Sequence, residues 1–200
     1  MVKERYRYCI GDGTLTIFDI DETLFHTSAK VKVMKKGLLV RALDNQEFNT
    51  YVLKNGEVYD FEEFSDAALF RTTSVPVRKM INRVKRVVKV SGNPHSRAII
   101  VTARGDFDDR DEFLLTFKDH GINIDEIYIE RAGNLDRSLT VTQKKQVVFQ
   151  KYLNTHTYTK VRLYDDSKAN LAGFLELQSE YPNIEFEAFY VDADGDILRV

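Results

Sequence analysis

The stretch "TIFDIDETLF", residues 16–25, follows three residues typical of a buried strand with Asp19, Asp21 and Glu22, three acids within four positions. Like charges crowded this closely are unfavourable unless something positive meets them. A strand ending in carboxylates is what a parallel sheet presents at its ligand-binding edge, so the question becomes whether other strands end there too. Three further runs are β-branched or aromatic and stop at a polar residue: "SRAIIVT" (96–102), "DEIYIE" (125–130) and "TKVRLYD" (159–165). A fifth, "IEFEAFYV" (184–191), alternates more and is expected at an edge. Between them, residues 108–121, 140–153 and 167–182 have helical spacing, the first closed by Gly121 and the last by Pro182. Strand and helix in alternation predict an α/β fold, a Rossmann-like parallel sheet with helices on both faces.

Composition sets the bounds. The chain has 200 residues, 43% of them apolar, enough for one core domain with a small insert. Its formal charge of −2 argues against wholesale electrostatic capture of nucleic acid or anionic membrane, while leaving room for a local patch. The single cysteine, Cys9, permits no intramolecular disulfide and reads as a small buried thiol or a frayed N-terminal residue. Residues 1–10 lack an apolar leader core and no segment reaches the length of a membrane span. A cytoplasmic protein with no membrane and no protein partner is the expectation.

Residues 26–73 break the alternation. "AKVKVMKKGLLVRAL" (29–43) predicts a hairpin turning at Lys35-Lys36-Gly37, and "EFNTYVLKNGEVYDF" (47–61) a second one turning at Asn55-Gly56. A short helix is expected over 61–70, after which Ser74 and Pro76 mark the start of a helix running to residue 90. The chain therefore divides into a core, 1–25 and 74–200, and a small β-rich cap insert, 26–73, placed directly after the acidic cluster.

If the first strand is central, Asp19 and Asp21 project from its end, Thr102 ends the second strand, and Asp165-Asp166 end the fourth. Lys144 and Lys145 open the helix before that last strand. Clustered carboxylates with hard oxygen donors suit Mg²⁺. These residues, in this order, resemble the four motifs of the haloacid dehalogenase superfamily: "FDIDETL" its DxDx[TV][LV] motif, Thr102 the second, Lys144 or Lys145 the third and Asp165-Asp166 the fourth. The whole chain also resembles uncharacterised proteins of large tailed phages, which would place it in the host cytoplasm.

The resemblance implies a Mg²⁺-dependent phosphomonoester hydrolase working through an aspartyl-phosphate. Asp19 would be the nucleophile, and Asp21 the acid and then base, its proton affinity raised by its acidic neighbours. Thr102 and the lysine would donate to phosphoryl oxygens. The metal set would be Asp19, Asp21 through its main-chain carbonyl, Asp165, and Asp166 through a bound water. Helical spacing favours Lys144, which precedes Val147 and Val148 by three and four residues, although Lys145 shares a stripe with Val141, Val148 and Tyr152. The substrate would be a phosphorylated small molecule or a nucleic-acid end: a nucleotide or nucleic-acid terminal phosphate first, a sugar phosphate second. A non-catalytic phosphate- or partner-binding module is the rival, disfavoured because Asp21 serves only turnover. In a phosphoacceptor signalling domain the acidic pair would come first along the chain, and here it comes last.

Other residues carry blander readings beside sharp ones. Arg104 is open between contacting phosphate and solvating its loop. Asp108–Glu112 fits a helix N-terminus better than a metal site. "DADGDILRV" (192–200) starts like a calcium loop but stops before the required glutamate, so it reads as a turn. His26 reads as structural. The segment 77–90 carries Arg78, Lys79, Arg83, Lys85, Arg86 and Lys89 with no acid, opposite an apolar face that packs on the sheet. Its basic face reads as solvated, with a track for a nucleic-acid backbone as the sharper alternative.

Overall fold

The computed structural model describes residues 13–90 and 95–200; Cys9 lies outside them. In chain order the elements are β1 (Gly13–Phe18), β2 (Phe25–His26), β3 (Val31–Lys35), β4 (Leu38–Leu43), α1 (Asn45–Thr50), β5 (Glu57–Asp60), α2 (Ala67–Thr73) and β6 (Val75–Pro76). They continue with α3 (Arg78–Val90), β7 (Arg97–Thr102), α4 (Arg110–Asp119), β8 (Tyr128–Arg131), α5 (Val141–Leu153), β9 (Tyr158–Asp165), α6 (Lys168–Glu176), β10 (Glu185–Val191) and β11 (Ile197–Arg199).

A six-stranded sheet in the order β11-β10-β9-β1-β7-β8 forms the centre, parallel throughout except for β11. Because successive side chains of a strand face opposite ways, the apolar runs feed two cores. Phe18, Ile100 and Tyr164 pack under α3 and α4 on one face. Leu15, Ile17, Ile99 and Val161 pack under α5 and α6 on the other. β1 sits between β9 and β7, which carries its acidic end to the middle of the strand termini.

β10 is not at the edge that its alternation suggested. The residues after the 192–196 turn form β11 and cover it. That turn is closed by Asp192 Oδ1, which accepts from the N–H groups of Asp194 and Asp196, with Gly195 at φ +74°. The turn reading of 192–196 stands, but a three-residue strand after it carries too little pattern to be seen in sequence.

The insert is a three-stranded antiparallel sheet in the order β4-β3-β5 over a small core of Val31, Val33 and Leu43. The first hairpin turns where expected, with Lys36 and Gly37 both at positive φ. The second, over 47–61, does not form. Asp44 instead caps α1 in a reciprocal box with Glu47, and β5 pairs with the far edge of β3. The stem is clasped by β2 against β6, so Ser74 ends α2 and Val75–Pro76 are extended rather than opening the next helix. α3 begins at Arg78.

Candidate active site

Asp19 follows β1 directly, and its N–H donates to Tyr164 O of β9 at 3.0 Å, which fixes the two strand ends side by side. The chain then reverses. The amides of Thr23, Leu24 and Phe25 converge on Ile20 O, and Glu22 adopts φ +57° to allow it. Buried Thr23 closes the loop by accepting the Asp166 N–H through Oγ1 at 3.1 Å. This local turn brings the two acidic segments together although they are more than 140 positions apart in sequence.

Lys145 joins them. Its side chain is 2% exposed, and Nζ donates to Asp19 Oδ1 and Asp165 Oδ2, both at 2.7 Å. Asp165 Oδ1 also accepts from the Ser167 N–H and Asn170 Nδ2. The choice of Lys144 is therefore corrected: Lys145 lies in the site. α5 buries Val148, Phe149, Tyr152 and Leu153, and that face carries Lys145 inward while Val147 is 44% exposed.

Carboxylate oxygens of Asp19, Asp165 and Asp166 lie within 4.8 Å of one another. Counting the three acids against Lys145 leaves a formal −2 in a largely buried place. Burial raises the proton affinity of Asp19 well above the ordinary value; Lys145 opposes the rise, and the neighbouring carboxylates add to it. Burial and Asp165 push Asp166 up to about 7. Removal from water holds Lys145 back, but Asp165 and Asp19 outweigh it, and its ammonium is firmly charged. Three hard oxygen donors with a deficit of two positive charges fit a divalent cation such as Mg²⁺. The Asp21 carboxylate is not part of this trio.

Asp21 has a different partner. Arg104, its side chain 1% exposed, donates through Nε and Nη2 to the Asp21 carboxylate at 2.6 to 3.1 Å, and through Nη1 to Phe64 O of the insert at 3.1 Å. The guanidinium lies over the rings of Phe64, Phe70 and Phe107. Thr27 Oγ1 adds a donor to Asp21 at 2.9 Å. Burial works to raise the Asp21 pKa, but the charge and hydrogen bonds of Arg104, with Thr27, win, and the group sits below the usual carboxylate range. The expectation that acidic neighbours raise it is thereby reversed. Arg104, left between phosphate contact and loop solvation by the sequence, is a buried link between Asp21 and the insert.

Thr102 is fully buried at the end of β7, and its Oγ1 accepts the Arg104 N–H at 3.1 Å. His26 bridges Glu22 Oε2 at 2.7 Å and Ala193 O at 2.9 Å, a tie between the loop after β1 and the 192–196 turn, in keeping with a structural role. Asp109 caps α4 by accepting two amides, as its acidic N-terminus predicted.

The loop carrying Arg104 rests on Gly133. A Cβ there would meet Ala103 O at 2.4 Å and Arg104 C at 2.5 Å, while its N–H donates to Arg104 O. Gly133→Ala is expected to cost about 1–3 kcal/mol by forcing backbone apart. Urea unfolding measures it, and an unchanged midpoint would refute the contact.

No family model matches the chain, and no curated protein or solved structure shows significant similarity to it.

Proposed function

We propose that the protein is a Mg²⁺-dependent phosphomonoester hydrolase of the haloacid dehalogenase type, on a Rossmann-like core with a small cap. The observation that carries this reading is the buried bridge from Lys145 to Asp19 and Asp165, with Asp166 alongside. A purely structural ion pair needs one carboxylate per lysine; this site gathers two more than the lysine neutralises.

When bound, the cation would be held by Asp19, Asp165 and Asp166 with the Asp21 main-chain carbonyl, and would offset repulsion between the Asp19 carboxylate and a phosphate. Lys145 holds Asp19 Oδ1, which orients the other oxygen to attack phosphorus. The ester P–O bond breaks as Asp21 gives its proton to the leaving oxygen. Water then attacks phosphorus, Asp21 takes the proton, and phosphate departs with Asp19 restored. Thr102 accepts at its oxygen from Arg104 N–H, so its own proton remains to donate to a phosphoryl oxygen, as does Lys145.

Asp21 needs a proton for the first step, yet Arg104 holds it ionised. Incoming phosphoryl oxygens compete for the same guanidinium. Once they draw Arg104 away, the largest opposition to burial is gone and the proton affinity of Asp21 climbs toward the acid role.

The purified protein is expected to release phosphate from an aryl phosphate in the presence of Mg²⁺ and to stop when EDTA is added. Activity indifferent to chelation would defeat the reading.

A further inference from the structure

The exposed face of α3 is cationic, and most of its charge is unanswered. Among the described residues Lys79 pairs with Asp196 at 2.7 Å, but no carboxylate lies within ion-pair distance of Arg78, Arg86 or Lys89. Removing the six bases of this helix leaves −8 on the rest of the chain (−2 − 6). A polyanion therefore meets repulsion over most of the surface, and attraction where this stripe lies. From Arg78 to Lys89 the stripe extends about 16 Å along the helix at 1.5 Å per residue.

The stripe starts at the rim of the site. Val77 N–H donates to Leu24 O, three residues beyond Asp21, and Lys79 is anchored to the same 192–196 turn that His26 grips. Arg83 lies over the ring of Tyr164, the residue before Asp165. On the insert, Phe61 is 48% exposed and stands edge-on to Phe64 at 6.2 Å. Phe64 in turn lies beneath the Arg104 guanidinium that holds Asp21. A cationic stripe and an exposed aromatic ledge, both leading to one phosphate site, are the two elements of single-strand recognition: the first follows the backbone, the second stacks a base. A sugar phosphate uses neither.

Resting on the phosphatase reading, we propose that the phosphate removed is the terminal phosphate of a single-stranded polynucleotide. Its backbone follows Arg78, Arg86 and Lys89, and its last base stacks on Phe61.

The test compares the wild-type chain, the triple variant Arg78→Gln/Arg86→Gln/Lys89→Gln and Phe61→Ala. The substrates are short oligonucleotides phosphorylated at the 3′ or 5′ end, a nucleoside monophosphate, a hexose phosphate and an aryl phosphate. The triple variant should raise KM for one of the two oligonucleotides at least about tenfold, and lower the slope of log KM against log salt by roughly 2, at about 0.7 per lost phosphate contact. Phe61→Ala should raise the same KM by about fivefold or more, from the lost stacking. Turnover of the aryl phosphate should stay at the wild-type rate in both. Oligonucleotide kinetics unmoved by the triple variant, or a nucleoside monophosphate or hexose phosphate cleaved as efficiently as either oligonucleotide, would overturn the proposal. If the wild type cleaves no aryl phosphate, the phosphatase reading fails instead, and fluorescence anisotropy with an unphosphorylated oligonucleotide then decides the stripe. Binding that the triple variant weakens upholds it, and absence of binding ends it.

Discussion

Lys145→Ala is expected to lower the melting temperature by roughly 10 °C and kcat by about 10²- to 10³-fold, while Lys144→Ala changes stability by no more than about 0.5 kcal/mol. The asymmetry follows from where the two ammonium groups lie. Lys145 is buried with two carboxylates at 2.7 Å, and cutting it back leaves both in a low-dielectric place without their cation. Breaking a buried pair in this way costs about 3–5 kcal/mol. The same change deepens the local charge deficit from −2 to −3. Mg²⁺ should therefore stabilise Lys145→Ala more than it stabilises the wild type, since lysine and cation answer the same carboxylates. Calorimetry with and without Mg²⁺ reads this directly. Loss of stability and turnover in Lys144→Ala, with Lys145→Ala intact, would reverse the assignment.

The error of one residue at that lysine shows where sequence stops being informative. The helix itself was plain, because Thr140 and Gln143 form a capping box and apolar residues recur at helical spacing. Its rotation was not. Val147 and Val148 are both apolar, and only the sheet beneath decides that Val148 goes in and Val147 out. The quartet Val148, Phe149, Tyr152 and Leu153 carried the usable signal, since Lys145 stands three and four residues before its first two members. The central strands were legible for a simpler reason: strands buried on both faces read as near-continuous apolar runs, as in Ala98–Val101 of β7, Ile17-Phe18 of β1 and Leu163-Tyr164 of β9, so they announce themselves without their partners.

The insert was less legible, because its register depends on non-local pairing. Asn55-Gly56 does sit in a turn, with Gly56 at φ +80°. The residues before it nevertheless go to a helix. Asp44 and Glu47 satisfy each other's amides in a capping box, a local signal that outweighed the strand-like pattern downstream. β5 then finds β3 rather than its own sequence neighbour. Arg104 was harder still. A basic residue in an acidic loop reads equally as a phosphate contact or as solvated, and nothing nearby in sequence indicates that its carboxylate lies 83 positions earlier.

Arg104 is where the second large effect is expected. Arg104→Ala should destabilise the fold by about 3–5 kcal/mol at neutral pH, because it removes a buried guanidinium and strands the part-buried Asp21 carboxylate, 20% exposed, without its cation. The pair's contribution has a definite pH window. The Asp21 pKa is depressed in the folded protein, so the stability it brings is fully present above the unfolded carboxylate value of 3.8 and is lost as pH falls through the lower folded value. In the variant, burial without Arg104 raises the Asp21 pKa instead, so the stranded carboxylate is relieved by taking a proton. The gap between wild type and variant should therefore be widest at and above neutrality and narrow as pH falls. Activity should separate by leaving group. Without the fork that positions it, the Asp21 carboxyl keeps a proton but is no longer held against the leaving oxygen. An alkyl alkoxide depends on that placement more than an aryl oxide does, so an alkyl phosphate should lose about 10²-fold and an aryl phosphate markedly less. Arg104→Lys should rescue neither quantity, since one ammonium cannot reach both carboxylate oxygens and Phe64 O with the geometry of a planar fork. Wild-type melting and equal loss on both substrates would mean that Arg104 neither holds Asp21 nor prepares it.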